Sequence, residues 1–352
     1  MLFRMFRFKC FLYSRFCSGL FYLLCVIFLC EYLIYFLALY KCAWPNLSSA
    51  RDGNMILRVM VLADPHLVGP FRGSIFDRIR RDWQMRQAFQ TSLLLYNPDV
   101  VFILGDLFDE GQWLPDDVFQ SHMERYRWIF AHSSNLQIKN VAGNHDVGFH
   151  YVLQPAFLKR FRHHLAPNAN SSVRLWISKG IPFVFANSMA FEGDQCNLCA
   201  AAEYSLRQIT ERLKCASTNP PKPCTEANFF RGVPFVDNDS EVVPPSPNVR
   251  PILLQHFPLY RVTEQGCPSK PPDAMPIAER STRYRPKWDC LSKDATDKLL
   301  SALRPRLVLS GHSHYSCRLN HSIAGDTTGT RVPEWSVASF SWRNLKHPSF
   351  LM

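Results

Sequence analysis

Short apolar runs alternate with helical periodicity in the first half of the chain. Leu57–Ala63 and Val100–Leu104 are continuous apolar runs of strand length, and we interpret Ile138–Ala142 as a third strand. Between them, Asp82–Tyr96 and Asp116–Ser133 place their large apolar side chains at helical spacing. Strand, helix, strand, helix and strand in this order predict an α/β layer architecture.

The second half of the chain is less regular. Ala201–Ala216 has helical spacing, and Pro251–Gln255 and Arg306–Ser310 are two further apolar runs that predict strands. Residues 196–248 and 267–286 are rich in proline and polar residues, which predicts insertions between these elements. Long insertions between core strands are common places for substrate selection. We expect one folded domain over residues 57–352.

The most apolar part of the chain is Phe16–Tyr40, about 25 residues, which is long enough to span a bilayer with some tilt. A cleaved secretory signal has a shorter apolar region, and the sequence after Tyr40 has no small-residue cleavage site. We therefore predict a signal anchor over residues 16–40 and a linker over residues 41–56. Because more basic residues precede the span than follow it, residues 1–15 are expected in the cytosol and the folded domain in the lumen.

Glu31 interrupts this apolar span. A carboxylate within a membrane is costly, so it marks either a partner helix or a functional site, or it is a single charge that tilt or pairing makes tolerable. The sequence alone leaves both interpretations open.

The composition fits a well-buried core, since 47% of the residues are hydrophobic and 20% are charged. The formal net charge is +11, but the basic residues are scattered, which argues against a nucleic-acid-binding arm. A positive surface suits an anionic phosphate substrate or a membrane that carries anionic lipids. It is also common on an ordinary soluble protein.

Two further features fit a lumenal glycoprotein. Asn-x-Ser sequons begin at Asn46, Asn170, Asn238 and Asn320. An oxidising compartment favours disulfides for most of the cysteines in the body of the domain. These cysteines are Cys196, Cys199, Cys215, Cys224, Cys267, Cys290 and Cys317.

Residue types that ligate metals follow five of the predicted strands directly. The clusters are Asp64-Pro65-His66, Gly105–Gly111 (GDLFDEG), Gly143-Asn144-His145-Asp146, Gln255-His256-Phe257-Pro258 and Gly311-His312-Ser313-His314. The site of an open α/β sheet lies beyond the carboxyl ends of its strands, so we expect these clusters to converge on one crevice. One such cluster occurs by chance, but five in order predict a metal site.

Carboxylate and imidazole ligands suit a pair of divalent cations such as manganese, iron or zinc. We assign three residues to one cation, three to the other and one carboxylate to both: Asp64, His66 and His314; Asn144, His256 and His312; and Asp106. A water molecule between two such cations loses a proton and attacks phosphorus in line. His145 is predicted to be catalytic and not a ligand, stabilising the phosphoryl oxygens or protonating the leaving alkoxide.

Two nearby acids have two open interpretations. Asp109 and Asp146 either accept hydrogen bonds from ligand histidines or cap the turns that follow them. The remaining histidines fall outside the pattern and are expected to be surface or core residues, with His150 the strongest exception. They are His122, His132, His150, His163, His164, His321 and His347.

The five clusters together resemble the calcineurin-like metallophosphoesterase superfamily. Its pattern of Asp-x-His, Gly-Asp-x-x-Asp-x-Gly, Gly-Asn-His-Asp/Glu, His and Gly-His-x-His stands here complete and in order, over roughly Leu57 to Trp342. The resemblance implies a four-layer α/β/β/α sandwich around a centre of two metals. It implies the same seven ligands and the same catalytic role for His145.

Other segments resemble a membrane-bound branch of that superfamily, which removes ethanolamine phosphate from a mannose of GPI anchors. They are Ala63–Pro70 (ADPHLVGP), Gly105–Trp113 (GDLFDEGQW) and Ser339–Arg343 (SFSWR). The likeness implies GPI-anchored proteins as substrates, manganese as the metal, and a place in the membranes between the ER and the cis-Golgi. It leaves contacts with cargo receptors open.

Members of this branch usually continue into a second membrane span with a cytosolic tail, whereas this sequence ends at Met352. We expect the ligand residues to be unaffected by this difference. It leaves the localisation and activity of this form open.

Two other functions share these motifs. One is a lumenal phosphomonoesterase or phosphodiesterase that acts on nucleotides or lipid head groups, since the same metal core serves all these substrates. The other is an inactive phosphoglycan-binding trafficking factor. This second alternative predicts the loss of a ligand or of His145, and none is lost.

Overall fold

The computed structural model of the chain describes residues 2–45, 56–166, 171–193, 198–216, 224, 233–240, 249–268, 272–346 and 348–352. Its helices and strands follow one another from the apolar N-terminus to the last sheet. In chain order they are α1 (Leu2–Phe28), a π-helical turn (Leu29–Leu33), α2 (Ile34–Tyr40), β1 (Val59–Leu62), α3 (Ile75–Tyr96), β2 (Val100–Ile103), α4 (Asp116–Ile129), β3 (Gln137–Asn140), α5 (Asn144–Val147), α6 (Pro155–Leu165), β4 (Val173–Ser178), β5 (Ile181–Ala186), α7 (Cys199–Cys215), β6 (Ile252–Gln255), α8 (Lys293–Leu303), β7 (Leu307–Ser310), β8 (Cys317–Ser322) and β9 (Arg331–Ser336).

Two sheets form the centre of the domain. In one, β1, β2 and β3 are parallel neighbours, with Val59 opposite Val100 and Val100 opposite Gln137. In the other, the order is β4-β5-β6-β7-β9-β8. Its inner neighbours are parallel, and the β4–β5 and β8–β9 hairpins are antiparallel. The carboxyl ends of β1, β2, β3, β6 and β7 therefore carry the predicted metal-ligand clusters.

An aromatic core joins the two sheets. The fully buried ring of Phe102 on β2 lies 5.1 Å from that of Phe183, 5.6 Å from Phe185 and 6.0 Å from Trp176, all on the second sheet. The outer faces carry helices, as Phe89 of α3 and Leu299 of α8 show by their complete burial. The predicted α/β/β/α arrangement is confirmed.

Several elements differ from the sequence-based expectation. Helix α3 begins at Ile75 and not at Asp82, because Ser74 caps it by accepting a hydrogen bond from the Asp77 N–H. The pattern of apolar residues also did not predict α6, α8, β4, β8 or β9. In the β8–β9 hairpin, buried and exposed positions alternate, so its apolar residues never form a continuous run. Much of the predicted insertion 196–248 lies outside the described residues.

The N-terminal helix is the one described helix that is long and apolar enough to cross a membrane, over Arg15–Tyr40. This finding is consistent with the predicted anchor. Glu31 lies in its π-helical turn and pairs with Arg80 of α3 at 2.7 Å, while the Trp83 indole N–H donates to it at 2.9 Å. Glu31 is therefore paired within its own chain, as the interpretation of an acid made tolerable by pairing expects.

The cysteines and sequons of the domain have clear positions. Disulfides join Cys215 to Cys224 and Cys267 to Cys317, and Cys199 is also disulfide-bonded. Cys290 is a buried free thiol. The sequon residues Asn238 and Asn320 are exposed, while Asn46, Asn170 and Cys196 lie outside the described residues.

Candidate metal centre

The predicted ligands come together at the carboxyl ends of the strands. Asp64, His66 and His314 offer atoms that all lie within 4.8 Å of one another, and so do Asp106, His256 and His312. The first group draws on the loops after β1 and β7. The second draws on those after β2, β6 and β7.

Facing donor atoms define the first group. The Nε2 atoms of His66 and His314 are 3.1 Å apart. Both carboxylate oxygens of Asp64 accept a hydrogen bond from the His312 backbone N–H, at 3.0 and 3.1 Å. This contact ties the β1 loop to the β7 loop that carries His314.

The second group is equally compact. His256 Nε2 lies 3.1 Å from the Asn144 side-chain oxygen and 3.2 Å from His312 Nδ1. Asn144 is the first residue of α5, directly after the turn at Gly143.

Asp106 lies between the groups, as its predicted bridging role requires. Its Oδ2 atom is 3.5 Å from His66 Nε2 and 3.3 Å from His256 Nε2. Its Oδ1 atom accepts a hydrogen bond from the His145 backbone N–H at 2.9 Å. One carboxylate therefore contacts a histidine of each group and is held by a third loop.

Hydrogen bonds to the second ring nitrogen orient three of the ligand histidines. Nδ1–H of His256 donates to the Leu104 carbonyl at 2.8 Å, and Nε2–H of His312 donates to the Trp288 carbonyl at 2.8 Å. Nδ1 of His66 lies 3.1 Å from Asp109 Oδ1. Because each bond fixes the tautomer, the other nitrogen presents its lone pair to the centre.

Burial sets the charge states of these groups. It raises the pKa of Asp64 to about 8 and lowers the pKa of His66 and of His312 to about 3. Burial alone would also raise the pKa of Asp106, but the nearby His256 and His145 hold it well below the ordinary value. Burial would lower the pKa of His256 too, but the carboxylates of Asp106 and Asp64 raise it to about 9. Neutral imidazole is the form that ligates a metal, so a cation at this position would displace the proton of His256.

The donor set fits divalent cations. Imidazole nitrogens face each other at 3.1–3.2 Å, beside the two fully buried carboxylates Asp64 and Asp106. Such an arrangement is costly without positive charge, and a divalent cation offsets both the burial of the carboxylates and the repulsion of the lone pairs. Oxygen and nitrogen donors together suit manganese, iron or zinc.

The backbone of the site is strained. Five of the predicted ligands have positive φ angles between 44° and 68°, which non-glycine residues adopt rarely: Asp64, His66, Asp106, His312 and His314. Such strain persists only where the surrounding structure enforces it, and it is concentrated at functional sites. A Cβ atom at Gly143 would meet Asp106 Oδ1 at 2.1 Å, so this glycine allows the loops to approach each other.

His145 lies at the edge of the centre. Its ring is 4.8 Å from that of His66, its Nδ1 is 2.7 Å from the Asp109 carbonyl oxygen, and its side chain is 24% exposed. The exposure makes it accessible to a substrate. This position suits the predicted catalytic role, which stays a prediction.

The two neighbouring acids take different roles. Asp109 accepts from the ligand His66, as described above. Asp146 instead accepts hydrogen bonds from the backbone N–H groups of Gly143 and Phe108, at 2.9 and 3.1 Å, so it caps the loop. His150 is in none of the described groups of metal-ligand residues.

Two arginines at the centre were not predicted from the sequence. Arg343 forms an ion pair with Asp109, and Arg72 lies 3.7 Å from the same carboxylate oxygen. Their guanidinium groups can donate paired hydrogen bonds to phosphoryl oxygens. Because they lie 271 positions apart in the chain, the sequence pattern gave no signal that they meet.

An exposed aromatic cluster borders the His312 side. The rings of Tyr151 and Trp288 are 5.3 Å apart, and both pack on Phe149. Tyr151 is 55% exposed and Trp288 is 42% exposed. The Trp288 carbonyl accepts a hydrogen bond from His312, so the aromatic pair lies directly beside a predicted ligand.

The chain is similar to several known proteins. The family model described as calcineurin-like phosphoesterase matches residues 57–316. Relatives named Metallophosphoesterase 1 from Ailuropoda melanoleuca and Mus musculus are 43% and 44% identical, over 93% of this chain and 77% and 76% of theirs. A Metallophosphoesterase 1 homolog from Drosophila melanogaster is 43% identical over 94% of this chain and 80% of its own.

A solved structure of a dimetal phosphatase from Danio rerio is 14% identical, with a TM-score of 0.44, and covers 81% of this chain and 88% of its own. This likeness is too weak to add to the family match.

We expect Asp106→Asn to lower the amount of bound divalent metal from two ions per chain to about one or fewer, because the amide lacks the charge that bridges two cations. Metal per chain would be measured by inductively coupled plasma mass spectrometry on the full chain in detergent after loading with manganese. His163→Ala, at an exposed histidine of α6, is the control and should keep the full metal content. Unchanged loading of Asp106→Asn would contradict the bridging assignment.

We expect Arg343→Ala to lower kcat/KM for a phosphate ester about 100-fold, because the substrate loses a charged donor at the reacting group. Metal content should be unchanged, and Arg343→Lys should recover part of the activity because it keeps the charge but not the planar fork. Arg331→Ala, at an exposed arginine of β9, is the matched control. A parallel loss of metal and activity in Arg343→Ala would show that Arg343 supports the ligands instead.

Proposed function

This chain belongs to the calcineurin-like phosphoesterase family, and we propose that it removes ethanolamine phosphate from the glycan of GPI anchors. The membership confirms the resemblance inferred from the motifs. The chain is accordingly a metal-dependent phosphoester hydrolase that uses divalent metals. The proposal concerns its substrate, its preferred metal and its place in the cell.

The site residues suit cleavage of a phosphodiester. Two divalent cations at such a centre supply an activated water for in-line attack on phosphorus. The bond from phosphorus to the sugar oxygen breaks, and that oxygen needs a proton to leave as a hydroxyl. In this proposal His145 donates it from Nε2, and the hydrogen bond from its Nδ1–H to the Asp109 carbonyl supports this assignment. Arg343 and Arg72 bind the phosphoryl oxygens.

The observation that carries the substrate assignment is the exposed aromatic pair Tyr151 and Trp288 beside His312. The flat, apolar face of a sugar ring packs well on aromatic side chains, and exposed aromatics beside a reactive centre are typical of binding sites. A mannose stacked there would hold its phosphate at the ligands. Tyr151 lies between α5 and α6, and Trp288 lies in the segment that follows the predicted insertion 267–286.

A second candidate substrate follows from the same pair. Nucleotide bases also stack on aromatic rings, so a nucleotide phosphodiesterase is the alternative that this observation favours. The N-terminal apolar helix and the motif resemblance to the GPI-remodelling branch support the first candidate over the second.

We further propose that the protein acts in the lumen between the ER and the cis-Golgi, with manganese as its metal. The anchor helix would hold the site near lipid-linked substrates and so raise their effective concentration. GPI-anchored proteins are the proposed partners. The exposed sequon residues Asn238 and Asn320 are compatible with N-glycosylation there.

The proposal is tested by measuring ethanolamine phosphate released from a GPI-anchored protein by the full chain in detergent with manganese. We expect release by the natural chain, and its loss on chelation and in both His145→Ala and Asp106→Asn. These two variants separate the proposed proton donor from a predicted ligand, because His145→Ala should keep its metal.

Two outcomes would contradict the GPI assignment. Cleavage of a small generic phosphodiester without release from the GPI anchor would leave a hydrolase with another substrate, and a nucleotide diester would then be tried. Metal binding without any hydrolysis would favour the phosphoglycan-binding alternative.

The aromatic pair gives a separate prediction. We expect Trp288→Ala to raise KM for the GPI substrate roughly tenfold, because the sugar loses its stacking surface, and to leave hydrolysis of methyl p-nitrophenyl phosphate nearly unchanged. Trp288→Phe should keep most of the affinity. Trp128→Ala is the control, since Trp128 is 44% exposed on α4. Equal losses on both substrates in Trp288→Ala would mean that the residue supports His312 and does not bind the sugar.

A further inference from the structure

A buried carboxylate lies behind the metal centre, on the strand that pairs with β7. Glu334 is in β9, and its side chain is completely buried. Burying a carboxylate is costly unless donors satisfy both of its oxygens. Glu334 meets this condition, because each of its two oxygens accepts two hydrogen bonds.

One oxygen of Glu334 joins two ligand loops. Oε1 accepts a hydrogen bond from the Leu259 backbone N–H at 2.8 Å and another from the Ser310 hydroxyl at 2.8 Å. Leu259 follows the predicted ligand His256 by three positions, and Ser310 precedes the predicted ligand His312 by two. A single atom therefore connects the loop after β6 to the end of β7.

The other oxygen fixes the orientation of this carboxylate. Oε2 accepts a hydrogen bond from the Arg261 guanidinium at 3.1 Å and another from His321 Nε2–H at 2.8 Å. Arg261 is itself buried and also pairs with Glu264 at 2.8 Å. Burial would raise the pKa of Glu334, but Arg261 and His321 hold it below its ordinary value, so the carboxylate is ionised. Hydrogen bonds to an ionised group are among the stronger ones in proteins, so this contact holds its geometry.

The two ligands that Glu334 connects belong to the same group. The facing nitrogens of His256 and His312 are 3.2 Å apart, and both residues are in the second group of predicted ligands. The first group has supports of its own. The Asp64 carboxylate accepts from the His312 backbone N–H, and the His314 carbonyl accepts from the Ser339 N–H at 3.0 Å.

We propose that Glu334 is a positioning residue of the metal centre, whose carboxylate holds the loops of His256 and His312 in the arrangement in which both reach one cation. It acts through these loops and not by contact with a substrate, because it is completely buried and its hydrogen-bond donors are protein groups. Loss of a group that orients metal ligands typically lowers metal affinity about 10–100-fold. The proposal concerns the metal centre and is independent of which phosphate ester is cleaved.

Glu334→Gln is the informative substitution, because it keeps the size of the side chain and removes its charge. All four neighbours of the carboxylate are donors, so the NH2 group of a glutamine would face two donors and could not accept from them. Glu264→Gln is the matched control. Glu264 is also a buried acid that pairs with Arg261, and its side chain accepts from Arg261 and Tyr284.

The test is the manganese affinity of the full chain in detergent, measured by isothermal titration calorimetry in two backgrounds. His314→Ala weakens the first group of ligands, so the second group holds the remaining cation, and His256→Ala does the reverse. We expect Glu334→Gln to lower the affinity about 30-fold in the His314→Ala background and less than about threefold in the His256→Ala background. Glu264→Gln should leave both affinities nearly unchanged.

A spectroscopic readout complements the titration. At a manganese concentration that loads both sites of the natural chain, we expect the electron paramagnetic resonance signal of a coupled manganese pair. Glu334→Gln should replace this signal with that of a single manganese ion, because the second cation is lost first. A coupled signal of unchanged strength in Glu334→Gln would contradict the proposal.

Three outcomes of the titration would overturn the proposal. Equal losses in the two backgrounds would show that Glu334→Gln loosens the whole site. No loss in the His314→Ala background would show that the loops hold their arrangement without the carboxylate. The same loss in Glu264→Gln would assign the effect to the charge balance of Arg261. None of these readouts uses hydrolysis, so failure of the GPI assignment would leave them unaffected.

A milder variant decides the question if Glu334→Gln does not fold, as its thermal unfolding midpoint would show. Ser310→Ala removes one hydrogen bond to Oε1 and keeps the charge of Glu334. It should lower the affinity about fivefold in the His314→Ala background, as expected for the loss of one hydrogen bond. Ser92→Ala, at a buried serine of α3, is the control. An affinity of Ser310→Ala equal to that of the control would overturn the proposal.

Discussion

The structure depends on burying carboxylates and imidazoles together at the carboxyl ends of five strands. Asp106 is 1% exposed, and its carboxylate contacts a histidine from each half of the site. The backbone of five ligands is held in the left-handed region, which the chain adopts only where neighbouring loops enforce it. The two sheets, joined through Phe102 and its aromatic partners, provide the rigid frame that holds these loops in place. Divalent cations stabilise what this frame brings together.

The sequence predicted the parts of the molecule that local patterns describe. The buried strands and the clusters after them are short and contiguous, so β1, β2 and β7 and the ligands that follow them could be found from hydropathy and residue type. The β8–β9 hairpin could not, because its exposed positions interrupt the apolar run. Helix α3 extends to Ile75 because Ser74 caps it. Its first two turns carry apolar residues on an exposed face, a pattern that is not typical of a helix that packs on a core.

The residues that the sequence did not reveal are those that the fold brings in from a distance. Arg343 and Arg72 meet at Asp109 from opposite ends of the domain. Trp288 contacts His312 through its backbone carbonyl, which every residue has, so the residue type at position 288 did not indicate this contact. Ligands are constrained by chemistry and are visible in the sequence, whereas groups that bind the rest of a substrate depend on tertiary approach and vary with the loops that carry them.

The ion pair between Glu31 and Arg80 gives the predicted membrane span a second role. Spans of many single-pass proteins are interchangeable, because any sufficiently apolar helix keeps the attached domain at the membrane. Here the span has a matching partner in the domain, in Arg80 and the Trp83 indole. A replacement helix of equal length and hydropathy that lacks Glu31 would leave the Arg80 guanidinium without this counterion. The apolar helix is therefore joined to the domain by a specific polar contact as well as by apolar packing, and its residue at position 31 matters beyond its hydropathy.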